Sequence, residues 1–226
     1  MAHVPKPVVV LFDVDGTLVD TGGSGARSWR AAFETLYGVP ADIAEHSSAG
    51  ETDPQVALVT FRGVLGRDPA GDELGKLYAR YLLHLAEDIW TSEHYRVLPG
   101  AEKILVRLGD AGAMLGLVSG AMEGAARTKL MPANLNRFFV FGAYGSDSPD
   151  RAELTKLAIN KATRLRDRLT PALVHVVGDT PHDIEAATAA GAVPVGVASG
   201  HYSTGELVAA GGAHVLGSLE DPFPGL

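Results

Sequence analysis

Val8-Val-Val-Leu-Phe-Asp13-Val-Asp-Gly-Thr-Leu18 decides how this chain folds. Five large apolar residues between Pro7 and Asp13 show no polar alternation, the pattern of a strand buried on both faces of a sheet. Asp13 then stands at the strand's carboxyl end, the edge at which open α/β sheets hold their ligands. Residues i and i+2 of an extended chain share a face, so Asp13 and Asp15 can converge there. Adjacent carboxylates repel, and a hard cation relieves that repulsion. Gly16 permits a sharp turn, and Thr17 adds a hydroxyl beside the same pocket. An ordinary Asx turn would use the same residues. A calcium loop of the EF-hand kind would place its glycine two positions later.

Outward from this segment, four more apolar runs read as strands: Met114–Val118, Phe138–Phe141, Leu173–Val177 and Val193–Val197, with a weaker sixth at His214–Leu216. Helix-like stretches separate them, at Ala101–Asp110, Gly120–Lys129, Arg151–Arg168, His182–Ala190 and Thr204–Ala210. Strand alternating with helix at these lengths predicts a doubly wound parallel α/β sheet, a Rossmann-like core. The first strand breaks the rhythm, because nothing strand-like follows Leu18 until Met114. Instead Ser24–Tyr37, Pro54–Leu65 and Asp72–Ile89 carry apolar residues at helical spacing, for example Leu74, Leu77, Tyr81, Leu85 and Ile89. Residues 21–97 are therefore expected to form a helical second domain inserted into a core of residues 1–20 and 98–226. Gly22-Gly-Ser-Gly25 at its entry reads as a hinge. It lacks the Walker lysine and the dinucleotide glycine pattern of a phosphate loop.

Three further segments lie at strand ends. Leu115-Gly-Leu-Val-Ser119-Gly120 closes its strand on a hydroxyl and a glycine, with Ser119 as a candidate helix N-cap. The same helix start offers N–H groups and a positive dipole end to phosphate oxygens. In Val176-Val-Gly-Asp179-Thr-Pro-His-Asp183, Asp179 follows a buried strand and Pro181 suits a first helical turn, which Asp183 then shares. Capping and dipole compensation would explain these acids. Together with Asp13 and Asp15 they also form an oxygen-rich cluster suited to magnesium. His182 reads as a solvent-side neighbour. Such a cluster needs positive charge to admit a phosphate dianion. Arg151, at the start of a long helix whose dipole it opposes, is the preferred candidate, with Lys156 as the alternative.

The bulk composition agrees with a soluble globule: 226 residues, 46% apolar and 20% charged. A net charge of −8 argues against a nucleic-acid partner. With no cysteine there is no disulfide, thiol catalysis or thiolate metal site, which suits the cytoplasm. Met1–Pro7 and the five-residue apolar run behind it are too short for a signal peptide or membrane span.

Asp-x-Asp-Gly-Thr after the first strand, Ser119 after a second, a downstream basic residue and Gly-Asp-x-x-x-Asp, in this order, resemble the four motifs of the haloacid dehalogenase superfamily. More narrowly, the chain resembles the phosphoglycolate phosphatase-like branch, which carries a helical cap between its first two motifs. The family's basic residue is usually lysine in a Lys-Pro pair, whereas this chain offers Arg151-Ala, a planar fork in place of a point charge. The resemblance implies a magnesium-dependent phosphatase acting on a small phosphorylated metabolite, as a monomer or weak homodimer. Asp13 would be the nucleophile and Asp15 the general acid and base. Ser119, Gly120 and Arg151 would hold the phosphoryl group. Asp13, Asp15 (through its backbone carbonyl), Asp179 and Asp183 would serve the metal. A sugar-phosphate mutase of the same superfamily would share all four motifs. A dehalogenase would lack an acid at position 15. A phosphonate-cleaving enzyme would need a cap lysine, for which Lys76 in an amphipathic helix is the lone candidate. A phosphoacceptor signalling module would be smaller and would place its aspartate on a later strand. Substrate choice would fall to the cap loop Gly50-Glu-Thr-Asp53.

Overall fold

The computed structural model describes residues 7–46 and 48–226. Residues 1–6, most of the stretch read above as too short for a leader, and residue 47 lie outside the described residues. Six parallel strands form the main sheet: β1 (Val9–Phe12), β4 (Met114–Ser119), β5 (Phe141–Tyr144), β6 (Val174–Gly178), β7 (Val193–Val197) and β8 (His214–Leu216). Their order is β5-β4-β1-β6-β7-β8. The chain leaves β1, builds outward through β4 and β5, then returns to the other side of β1. Strand order thus reverses at β1, which fixes the ligand crevice at its carboxyl end. Phe12 registers with Leu117 on β4 and with Val177 on β6, which sets Asp13 between the ends of those strands.

Every residue of β1 is buried, because both faces of the sheet are covered. Val10 and Phe12 face α4 (Ala101–Asp110) and α5 (Glu123–Leu130), whose Ile104, Leu105, Leu108, Ala126 and Leu130 share their core. Val9 and Leu11 face Leu154, Ala158 and Ile159 of α6 (Arg151–Leu165) and Ala187 of α7 (Pro181–Ala189). A last helix, α8 (Thr204–Ala209), packs on β7 and β8.

Between β1 and β4 the chain forms α1 (Ser24–Tyr37), α2 (Asp53–Leu65) and α3 (Glu73–Asp88). An aromatic cluster joins them. Trp29 meets Tyr81 edge-on at 5.1 Å, and Phe33 meets Phe61 at 5.3 Å. Pairs of this geometry contribute about 0.5–1.5 kcal/mol beyond their buried area.

Two details differ from the sequence reading. A short antiparallel ribbon, β2 (Val19–Asp20) with β3 (Arg96–Val97), joins the entry and exit of the helical insert. Two-residue strands carry no periodicity, so the sequence gives no sign of them. The strand expected at Phe138–Phe141 begins instead at Phe141. Phe138 closes a 3-10 turn and Val140 is exposed. The aromatic pair Phe138-Phe139 packs from the turn, while the strand continues through the small residues Gly142 and Ala143. Among the described residues, no helix is long and apolar enough to cross a membrane.

Candidate active site

Asp13 begins where the β1 ladder ends, its N–H donating to Val177 O at 2.9 Å. Gly16 holds φ +73° and passes so close to the Asp179 carboxylate that a Cβ has no room. Thr17 Oγ1 donates to Asp179 Oδ1 at 3.1 Å. Asp179 follows β6. Thr180 then caps α7 and Asp183 answers from the third helical position, a reciprocal capping box. Thr180 N and Oγ1 both donate to Asp183 Oδ2, at 3.1 and 2.7 Å.

Arg151 enters from the first turn of α6, whose N-cap is Asp150. Its guanidinium is buried between two acids. Nη2 lies 3.0 Å from Asp13 Oδ1 and pairs with Asp183 Oδ1, while Nε donates to that same Asp183 oxygen at 3.1 Å. Burial opposes the charge on Arg151, but Asp183 and Asp13 outweigh it and hold the guanidinium protonated. The alternative cation, Lys156, is exposed and pairs with Glu153 at 2.9 Å.

Six of the seven residues expected from the sequence, Asp13, Asp15, Ser119, Gly120, Arg151 and Asp179, line one cavity of about 510 Å³ at this sheet edge. Asp183, also buried, joins Asp13 and Asp179 in a group whose carboxylate oxygens lie within 4.8 Å of one another. Asp13 and Asp15 do not converge on one point. Asp13 turns to this group, whereas the Asp15 carboxylate pairs with Lys129 at 2.6 Å. Burial, with repulsion from Asp183 and Asp15, pushes the Asp13 carboxyl up to about 6 against the pull of Arg151. Burial and repulsion from Asp183 and Asp13 push Asp179 up to about 8. Asp13 Oδ1 is buried and accepts no hydrogen bond of good geometry. Three crowded carboxyls that share one guanidinium, that of Arg151, fit a hard divalent cation, which prefers oxygen donors and supplies the missing charge.

Ser119 does not cap the following helix. Its Oγ accepts from Ala121 N at 3.3 Å, and α5 starts only at Glu123. The reason lies in the insert. Asp53 N donates to Gly120 O at 2.8 Å, and Asp53 Oδ2 accepts from Met122 N at 2.8 Å, so the insert holds the segment before α5 out of the helix. A Cβ at Gly120 would stand 2.6 Å from Glu51 O and 2.7 Å from Arg151 Nη1, hence the glycine. Thr52 Oγ1 donates to Pro149 O at 2.9 Å. The Gly50–Asp53 loop thus faces the site and closes over it.

Lys129 is the site residue that sequence reasoning missed. It is the last residue of the helix-like stretch Gly120–Lys129 and has no role in the sequence reading, yet it is buried at the junction of α5 with the insert. Burial works against its charge, but Asp15, Tyr81 and Asp53 raise its pKa above that of a free lysine. Asp53 is itself pushed up to about 6 by burial, with Lys129 opposing. The available signal was register: Ala125, Ala126 and Leu130 are the buried face of α5, and Lys129 falls on it.

A sheet that reverses at β1, an acidic cluster at that point and a helical insert above it match a known family. The family model described as "Hydrolase: haloacid dehalogenase-like hydrolase" matches residues 8–191, and the chain belongs to that family. Within it, the chain is similar to the phosphoglycolate phosphatases of Rhodospirillum rubrum and Salmonella typhi. The first is 34% identical over 218 residues, 92% of this chain and 85% of that one. The second is 28% identical over 240 residues, 96% of this chain and 91% of that one. Solved structures share the fold. A predicted phosphoglycolate phosphatase from Haemophilus somnus superposes with a TM-score of 0.72 at 18% identity, covering 94% of each chain. A candidate beta-phosphoglucomutase from Bacteroides vulgatus gives 0.70 at 21% identity, covering 97% of this chain and 87% of that one.

Proposed function

We propose that this hydrolase cleaves small phosphate monoesters through an aspartyl-phosphate on Asp13. One observation carries the reading: the buried Asp13 carboxylate lies 3.0 Å from the Arg151 guanidinium in a cavity that also holds Asp15, Ser119 and Gly120. The relatives named as phosphoglycolate phosphatases support the same class of reaction. Asp13 attacks phosphorus in line. The bond from phosphorus to the ester oxygen breaks, and Asp15 gives that oxygen a proton. Asp15 then takes a proton from water, which attacks phosphorus, frees inorganic phosphate and restores Asp13. Arg151, Ser119 and the Gly120 N–H hold the phosphoryl oxygens in place.

Asp13, Asp179, Asp183 and the backbone carbonyl of Asp15 are the groups that would hold magnesium. When bound, it supplies charge neutralisation between the nucleophile and the phosphate dianion. The test is a screen of phosphorylated metabolites and a generic aryl phosphate with magnesium, reading released phosphate. Many phosphates per chain are expected, and none in excess chelator. Release of about one phosphate per chain would favour a phosphoacceptor module instead.

A further inference from the structure

A second cavity, of about 440 Å³, lies beside Asp15 between the insert and the sheet edge. That size is within the roughly 300–1,000 Å³ of small-molecule sites. Its walls include Trp29, Glu51, Asp53 and Tyr81 from the insert, and Asp15 and Lys129 from the core. It adjoins the first cavity around Asp15 and Glu51, which line both. An ester with its phosphoryl group at Asp13 therefore extends past Asp15 into this space.

The lining discriminates among leaving groups. Asp15, Glu51 and Asp53 bring three carboxyls. Lys129 brings one ammonium, already 2.6 Å from Asp15 and attracted to Asp53. Among the described residues, the other basic group of the lining is His201, which is exposed. A leaving group carrying a carboxylate meets an excess of like charge here, with no free cation to receive it. Two buried polar atoms of the lining residues lack partners. Glu51 Oε2 has no donor, and the indole Nε1 of Trp29, a residue only 2% exposed, has no acceptor. An ammonium only donates and a carboxylate only accepts, whereas a hydroxyl does both.

We infer that the second cavity binds a hydroxyl-bearing leaving group that carries no carboxylate, so that the substrates are sugar or polyol monophosphates rather than carboxylate-bearing esters. This rests on the phosphatase reading and departs from the ester named in the relatives, since phosphoglycolate carries a carboxylate.

The experiment compares kcat/KM of the magnesium-loaded protein for three kinds of ester. These are hexose and polyol monophosphates, phosphoglycolate with 3-phosphoglycerate, and 4-nitrophenyl phosphate as a common reference. The best polyol or sugar ester is expected to exceed phosphoglycolate by at least about tenfold, well inside the roughly 10⁴–10⁵ by which a hydrogen-bonding site can reject a mismatched group. Glu51→Ala and Trp29→Phe should each lower the ratio of polyol to aryl turnover by about the same factor. Trp29 is part of the insert's core, so Glu51→Ala, in a loop, serves as the second and independent variant. Phosphoglycolate turned over as well as the best polyol ester would overturn the proposal, as would an unchanged ratio in Glu51→Ala. Absence of hydrolysis for every ester, aryl included, would instead overturn the phosphatase reading on which it rests.

Discussion

Lys129 Nζ donates to Asp15 Oδ2 at 2.6 Å, so the proposed general acid is tethered by a cation reaching up from the last turn of α5. The lysine side chain is 8% exposed and that of Asp15 45%, so the pair straddles the boundary between core and cavity. The tether fixes where Asp15 points when the ester oxygen leaves. Lys129→Met should reduce kcat on alkyl phosphates by about 10–100-fold, part of the roughly 10²–10⁴ that general acid–base catalysis provides. Formation of the intermediate from 4-nitrophenyl phosphate, whose leaving group needs no proton, should suffer far less. Asp15→Asn should show the same contrast more strongly. Presteady-state bursts on the two ester kinds measure it, and equal losses on both would make Lys129 a packing residue.

The stability of metal-free protein should fall as pH rises from about 4 to about 8. In the unfolded chain these acids ionise near 4. In the folded chain Asp13 and Asp53 keep their protons up to about 6, and Asp179 up to about 8. Buried His175, lowered to about 4, works the other way in the lower half of the window. One group against three acids still leaves the folded state with more protons, and rising pH favours unfolding. Acids with lowered values, such as Glu73 at about 2, act below the window. Thermal melts in chelator should show the decline, magnesium should reverse it near neutrality, and Asp13→Asn should flatten its lower half. Melting temperatures that climb through the window in chelator would contradict this account of the cluster.

The parts of the fold readable in the sequence are those with long-range consequences written into local pattern. Val9–Phe12 is apolar at every position because both sheet faces are covered, and Ala101–Asp110 shows a full helical stripe. Asp13 and Asp179 are legible because each directly follows such a strand. What escaped reading depends on contacts between distant segments. The α5 helix starts at Glu123 rather than Gly120 because Asp53 engages the loop before it. The β2–β3 ribbon exists because the insert's two ends must meet. Lys129 looks solvated until α3 of the insert, through Tyr81, covers it.

Arg151→Ala should raise the inhibition constant for inorganic phosphate and cut kcat/KM by about 10²–10³, the usual effect of losing a donor to a transition-state oxyanion. Lys156→Ala should change both by less than about twofold, since exposed ion pairs contribute little. The difference in burial decides the ranking. Arg151 is held between Asp13 and Asp183, whereas Lys156 reaches only Glu153 at the surface. Phosphate inhibition of the two variants tests the ordering, and the reverse result would move the phosphate-binding role to Lys156.

The insert is expected to move as a lid about its two connections, and the structure shows what restrains it. Gly22 and Gly23 hold φ of +61° and +82° at the entry. The turn is latched to the end of α3. Arg27 Nη1 donates to Gly22 O at 2.6 Å, its Nη2 meets Asp88 Oδ2 at 2.7 Å, and Ser24 Oγ bonds the same carboxylate. On the far side, Asp53 and Thr52 grip Gly120, Met122 and Pro149. Opening breaks the second set, so its bonds should form and release with each turnover. Magnesium with a phosphate mimic should therefore slow hydrogen exchange at 21–24 and 98–100 together, along with 120–122. Asp88→Asn removes one charge from a partly exposed pair, and its effect on global stability should stay within about 1 kcal/mol. It should nevertheless speed exchange at 21–24 and raise KM, because the latch sets how the insert returns over the site. Protection gained at 120–122 with no change at either connection would mean that the loop closes by itself and the insert does not swing.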